Sequence, residues 1–578
     1  MIPSTPFFRT ARRLLAGAAL ACAFVRPIAL DAQVREPADL VLLNGNVYTA
    51  DAAHPRAQAV AVREGRIVLV GSTREARALV GEGTEVIDLE GRTLIPGMMD
   101  SHGHLPGLGS ALRIVDLVGT RSYDEVIERV RARAAEVPAG QWIRGRGWDQ
   151  NEWGDTRFPH HAALSEAVPD HPVVLTRVDG HAIFVNARAM ELAGITDDTP
   201  DPEGGRIVRD PDTGEAIGVF VDRAMGLVNR VVPAESRDEV HEGILLAQRE
   251  LNRYGLTAMA DAGVGRDVID LYEEMAERGE WTIRNYVMVR PADLDHYFAL
   301  GPRDNIGGDH MLSVRSIKVS VDGALGSRGA ALLEDYSDEP GNRGLVMVPP
   351  ERLLPIARAA LQHGFQLNVH AIGDRGNRLV LDVFEQALAE NPVADHRFRI
   401  EHAQILHRHD LPRFAELGVI PSMQAIHQAS DMYWAENRLG WTRLQGAYAW
   451  QSLLQSGVII PGGSDFPVES PDPLLSFHAA VSRQDAHNWP TGGWFPEQRM
   501  TREQALYHLT IWGAQAAFME DRIGSITPGK LADLVVLSQD IMVVPAEEIL
   551  DTKVEMTFVG GRLVYDRAAE GERPRTDG

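Results

Sequence analysis

Two histidines one residue apart, His102 and His104, follow an apolar run at residues 94–99. On an extended backbone such a pair projects to one side, and the intervening Gly103 lets the main chain approach a metal ion closely. His-x-His alone is a weak signal. It gains weight from Lys318, His370, His402 and Asp465, each of which stands at or just after the end of a different apolar run. Four imidazoles and a carboxylate on successive strand ends make a nitrogen and oxygen donor set with open positions, suited to zinc or another first-row divalent ion.

Lys318 adds a second kind of chemistry. In Ser316-Ile317-Lys318-Val319-Ser320-Val321 the alternation turns Ile317, Val319 and Val321 outward and places Ser316, Lys318 and Ser320 on the inner side. A desolvated lysine beside a metal has a lowered pKa. Its neutral amine can add carbon dioxide, and the resulting N6-carboxylated side chain can bridge two metals. The other reading is an unmodified lysine paired with Asp322. The same alternation fails at His402, which shares its side with Phe398 and Ile400 unless a bulge intervenes. Outside this set, Trp148, Asp149, His181, Asp322 and His427 are candidates for substrate contact, and Arg328 for an acidic group on the substrate. Each has a simple structural alternative: a hydrogen-bonded histidine, a buried indole with its N–H satisfied, a surface cation.

Strand ends require strands. Apolar runs at residues 94–99, 257–260, 285–289, 316–321, 366–369, 398–400, 419–423 and 458–461 alternate with helical stretches. That alternation is α/β, and closing it gives a (β/α)8 TIM-like barrel over residues 94–523 with its site at the C-terminal ends of the strands. Residues 105–250 are too long for a simple connection and hold Trp142, Trp148 and Trp153; they read as an inserted, lid-like segment over the barrel mouth. Residues 38–93 and 524–570 are short strand-like runs punctuated by turns. Each has few strands for a core of its own, so the two are expected to pack as one split small β-sandwich domain.

Composition bounds the rest. The 578 residues are 44% hydrophobic and 24% charged, ordinary globular usage. Twenty His against one Cys exclude a disulfide framework and a thiolate zinc site. A net charge of -24 argues against a nucleic-acid partner. Residues 1–32 read as an export signal: Arg9, Arg12 and Arg13 precede an apolar run at 14–25, and Ala32 offers a small residue before Gln33. The run is too short to span a bilayer, so the mature chain is expected to be periplasmic or secreted with no integral span. Arg12-Arg13 leaves a twin-arginine route open, and Cys22 a lipoprotein cut, beside retention as an anchor. Cleavage after Ala32 would remove Cys22, the only cysteine.

The pattern resembles the metal-dependent amidohydrolase superfamily, whose motif is His-x-His after the first barrel strand, Lys after the fourth, His after the fifth and sixth, and Asp after the eighth. His102, His104, Lys318, His370, His402 and Asp465 match it in order. Longer stretches are similar to amidohydrolase family 3, the branch related to N-substituted formamide deformylase: Gly147-Trp148-Asp149-Gln150, Arg177 to His181, Lys318 to Ser327, His370 to Asp374, Glu401-His402-Ala403, Gly463-Ser464-Asp465 and, near the end, Gly524-Ser525-Ile526, Pro528-Gly529-Lys530 and Ala532-Asp533-Leu534. The resemblance implies hydrolysis of a carbon–nitrogen bond outside peptides, in a formamide-like or cyclic amide of small size. One or two divalent ions, zinc foremost, would be held by the six matched residues and lower the pKa of a bound water toward about 7. Asp465 would take its proton and pass it to the leaving amine. A homodimer is the implied assembly. Two other functions stay open at this point: an esterase, lactonase or phosphotriesterase on the same centre, and an inactive binding protein on a degenerate barrel. The last predicts missing ligands, and none of the six is missing.

Overall fold

The computed structural model describes residues 36–570 except 151, 152, 156, 178–181, 203, 204 and 327. Residues 1–32, read from sequence as an export signal and holding Cys22, and the candidate His181 lie outside the described residues.

Seven parallel strands form a nearly closed barrel: β1 (Met98–Gly103), β2 (Leu256–Val264), β3 (Arg284–Val289), β4 (Leu312–Ser320), β5 (Gln366–Ala371), β6 (Arg399–His402) and β7 (Ile420–Ser422). Each pairs with the next, in registers such as Lys318 opposite Asn368 and His370 opposite Glu401. Period-two alternation sorts their side chains. Ile317, Val319, Leu367, Val369 and Ile400 join the apolar shell beneath the helices. Lys318, Asn368, His370, Arg399 and Glu401 take the other side.

The run at 458–461, read from sequence as the eighth strand, forms no ladder. An isolated bridge between Met423 and Gly462 stands there instead. Pro461 has no N–H to donate, and only glycine fits behind it: an added Cβ would lie 2.4 Å from the His508 ring at Gly462 and 2.7 Å from the His102 nitrogen at Gly463. The segment still spans the gap by single bonds. On one side Met423 N–H donates to Pro461 (3.1 Å); on the other Ser101 N–H donates to Gly462 and Asp465 N–H to His102, both at 2.7 Å. His508 holds this segment from below, its Nδ1 2.8 Å from the Ile460 carbonyl oxygen.

The run at 94–99 is also corrected, because it is two strands. Thr93–Pro96 pairs antiparallel with Leu534–Leu537, whereas β1 starts at Met98. Gly97 separates them, tight against Thr257 Oγ1, which an added Cβ would meet at 2.1 Å. Thr93–Pro96 belongs to a six-stranded sheet with Asn46–Tyr48, Arg56–Ala57, Leu534–Leu537, Val554–Val559 and Arg562–Asp566. A four-stranded sheet of Leu40–Leu43, Ala59–Arg63, Arg66–Gly71 and Glu85–Asp88 shares a core with it through Leu42, Val60, Val62, Leu94, Val536 and Phe558. At the foot of β3, Arg284 makes a buried two-pronged pair with Asp533 (2.7 and 2.9 Å), clamping the barrel to the C-terminal strands.

The long connection after β1 begins and ends in helices of the main body. Leu105–Arg113 and Arg237–Arg253 place Leu105, Leu108, Ile244, Ala247 and Leu251 in the barrel's own apolar shell. They cross so closely that an added Cβ on Gly109 would lie 2.5 Å from the Gly243 carbonyl carbon. Between them the chain builds a separate six-stranded sheet, Val115–Asp116 through Ala216–Asp222, with one core around Trp148, Leu175 and Phe184 and another around Val174, Ile183 and Phe220. Among the described residues no helix is long and apolar enough to cross a membrane.

Candidate metal centre

β1 delivers His102 to the barrel axis, fully buried. Its Nδ1 lies 2.5 Å from Glu401 Oε2, and its Nε2 lies 2.9 Å from Lys318 Nζ and 3.5 Å from Asp465 Oδ1. Glu401 can only accept when ionised, so Nδ1 carries the hydrogen and Nε2 presents a lone pair. Burial, and then the Lys318 charge, push the His102 imidazole down to about 4, which keeps it neutral. His104 caps the helix that follows. Its Nδ1 lies 3.0 Å from the Ala262 carbonyl oxygen, which can only accept, and its Nε2 lies 3.0 Å from Asp465 Oδ1. Burial lowers the His104 imidazole, but the hydrogen bond to Asp465 and its charge outweigh that and raise it, so this contact holds a proton that a bound cation would replace.

The remaining imidazoles come from the neighbouring strands. His370 on β5 and His402 on β6 have ring centroids 4.5 Å apart, and His402 lies 4.8 Å from His102. Burial lowers His370 to about 3 and holds His402 well below the ordinary histidine range. The parity problem at His402 is resolved by its backbone. With φ +74° at His402 and +41° at Ala403, the strand turns through the left-handed region and swings the imidazole back among the ligands. Its Nδ1 is fixed by Gln424 Oε1 at 2.8 Å. Lys318 is buried on β4, and desolvation lowers its pKa. Asp465 also sits at positive φ, +62°. Burial raises its carboxyl, but the His104 hydrogen bond and the surrounding imidazoles outweigh that and hold it below the usual carboxylate range.

Asp322 does not pair with Lys318. It accepts the backbone N–H groups of Ala331 (2.9 Å), Ile372 (3.0 Å) and Gly373 (2.9 Å), tying two loops at the mouth, and burial raises its carboxyl to about 7. Asp100 plays the same part on the other side, accepting from His102 N–H at 3.0 Å and from Ser464 Oγ at 2.7 Å. His427, on the helix Ala425–Asp431, joins the cluster. Its ring stacks on His402 at 5.9 Å, and its buried Nε2 lies 4.0 Å from Asp465 Oδ2 without a hydrogen-bond partner.

Three other candidates are engaged by the protein itself. Trp148 is fully buried in the core of the inserted sheet and donates its indole N–H to the Leu175 carbonyl (2.9 Å), which leaves it no face for a substrate. Asp149 is engaged by Arg177 at 2.5 Å. Arg328 gives its guanidinium to Asp338 (2.9 and 3.1 Å), so it is not held ready for a substrate anion. The side chains that sequence reasoning passed over are Glu401, Arg399, Gln424 and Asp100. Glu401 stood inside a quoted motif, next to His402, with no role given to it.

The donor set fits a divalent ion. His102, His104 and Asp465 offer ligand atoms within 4.8 Å of one another, and the imidazoles of His102 and His370 are neutral. His370 Nε2 is buried, 3.5 Å from Asp322 Oδ1, and makes no hydrogen bond.

Residues 85–565 match the model of the amidohydrolase family Amidohydro_3. The chain is 35% identical over 539 residues to protein LONG AFTER FAR-RED 3 of Arabidopsis thaliana, covering 91% of this chain and 92% of that one. It is 30% identical over 548 residues to the N-substituted formamide deformylase of Arthrobacter pascens, covering 92% and 98%. Among solved structures, an uncharacterized metal-dependent hydrolase from Pyrococcus furiosus superposes with a TM-score of 0.72 at 29% identity, over 87% of this chain and all of that one. The chain belongs to the amidohydrolase family. It is a hydrolase acting on carbon–nitrogen bonds.

Proposed function

We propose that this hydrolase cleaves a small non-peptide amide, formamide-like or cyclic, at a centre of one or two zinc ions held by His102, His104, His370, His402 and Asp465, with Lys318 carboxylated on Nζ as the remaining ligand. One observation carries the reading: imidazole nitrogens of His102 and His104 and a carboxylate oxygen of Asp465 lie within 4.8 Å of one another inside the barrel. When bound, the ion would supply a water of lowered pKa and polarise the scissile carbonyl. Asp465, held ionised, accepts the proton of the attacking water and delivers it to the departing amine nitrogen. His427, beside Asp465 with a free Nε2, contacts the substrate. Gln424 holds His402 in the tautomer that leaves Nε2 unprotonated. We read the two terminal sheets as a composite sandwich that braces the barrel, and the inserted sheet as the lid.

The test is metal analysis of purified protein followed by turnover on a panel of N-substituted formamides, cyclic amides, lactones and organophosphates, before and after chelation. The expected result is stoichiometric zinc, activity confined to the amides, and loss on chelation with recovery on adding zinc. Preference for lactones or phosphotriesters would overturn the substrate class, and full activity in metal-free protein the centre itself.

A further inference from the structure

The barrel interior carries a charge pair with no part in the proposed chemistry. Arg399 and Glu401 alternate on the inner side of β6, both fully buried, with Arg399 Nε 2.8 Å from Glu401 Oε1. Barrel interiors are ordinarily filled with branched apolar side chains. A buried ion pair there carries a desolvation cost that an apolar pair of similar volume avoids. What surrounds the pair gives it a purpose. Glu401 Oε2 meets His102 Nδ1 at 2.5 Å, on the side of the ring opposite Lys318 and Asp465. Arg399 Nη2 donates to the Ser101 carbonyl on β1 (2.5 Å), to Ser422 Oγ on β7 (2.9 Å) and to Glu401 Oε2 (3.2 Å). The guanidinium thus reaches across the one interruption in the barrel ladder and fixes the carboxylate relative to the strand that carries His102.

We propose that Glu401, locked by Arg399, is a positioning residue that sets the tautomer and ring plane of His102 and through them its strength as a metal ligand. This rests on the reading of His102 as a ligand. Groups that accept the distal N–H of a ligating histidine typically change metal affinity by about 10- to 100-fold when removed.

The experiment titrates zinc against a chromophoric chelator in full-length, metal-stripped wild type, Glu401→Gln, Glu401→Ala and His102→Ala, with thermal unfolding of each metal-free protein alongside. Glu401→Gln keeps an acceptor but loses the charge, and is expected to weaken zinc about 10-fold; Glu401→Ala loses both, and about 100-fold is expected. A merely architectural role predicts the opposite pattern, a lower unfolding temperature with an unchanged zinc dissociation constant in the folded fraction. Zinc binding by folded Glu401→Gln within twofold of wild type overturns the proposal, and this near-isosteric variant decides the matter if Glu401→Ala does not fold. His102→Ala separates the two readings. Wild-type affinity there removes His102 as a ligand altogether, whereas loss in His102→Ala without loss in Glu401→Gln overturns the positioning role alone.

Discussion

Asp465 is the group whose proton transfers the proposed reaction needs, so its amide variant isolates chemistry from binding. Asp465→Asn keeps the shape and one ligand oxygen; it should retain zinc by elemental analysis and lose about 100- to 10,000-fold in kcat. Near-normal turnover would remove Asp465 as the base. His427→Ala should raise KM across the amide panel with zinc content unchanged, because His427 lies beside Asp465 but outside the group of His102, His104 and Asp465 that offers ligand atoms. Loss of zinc in that variant would instead make His427 a ligand. Of the ligand candidates, His102, His104 and Asp465, which the fold brings within 4.8 Å of one another, were legible from residue type and order along the chain. Glu401 was not, because no local pattern in sequence tells which imidazole a carboxylate will meet 299 positions away. The orientation of His402 was hidden for another reason: a left-handed φ at a non-glycine residue reverses the side that alternation assigns.

Elements were readable where the apolar run was long and misread where a glycine changed its meaning. β2 to β6 fall on the expected runs. Gly97 cut one run into strands of two different sheets, and Gly462 with Gly463 replaced a strand by a thin backbone seam, because close packing against Thr257, His508 and His102 leaves no room for Cβ. The inserted segment is legible from its length and its tryptophans, but its limits move inward because the helices Leu105–Arg113 and Arg237–Arg253 serve the barrel core. Their crossing at Gly109 and Gly243 gives a direct check. Gly109→Val forces the helices apart and should destabilise the folded state by about 1–3 kcal/mol in denaturant unfolding. An unchanged midpoint would mean that the helices separate at no cost.

At the scale of the whole molecule, stability depends on pH through groups that the fold buries. Burial holds His508 down at about 4, against 6.5 for an ordinary histidine. Between those values the unfolded chain binds a proton that the folded chain does not, so stability falls as pH drops from 6.5 toward 4 and levels off below. Because Asp100 and Asp322, raised to about 7, act with the opposite sign, the effect is read as a difference. Relative to His508→Leu, wild type should lose up to about 3 kcal/mol over that interval in parallel denaturant titrations. Parallel pH profiles for the two proteins would exclude the effect.

The pairing of Thr93–Pro96 with Leu534–Leu537 also imposes an order in time. A ribosome adds about 5–20 residues per second, so the strand laid down before the barrel waits tens of seconds for its neighbour. Throughout that wait it presents an unpaired backbone edge, the kind of template on which nascent chains pair wrongly. The newborn polypeptide can complete its four-stranded sheet early, but it cannot finish the six-stranded one until nearly all of it has been synthesised, and it depends until then on whatever shields that edge.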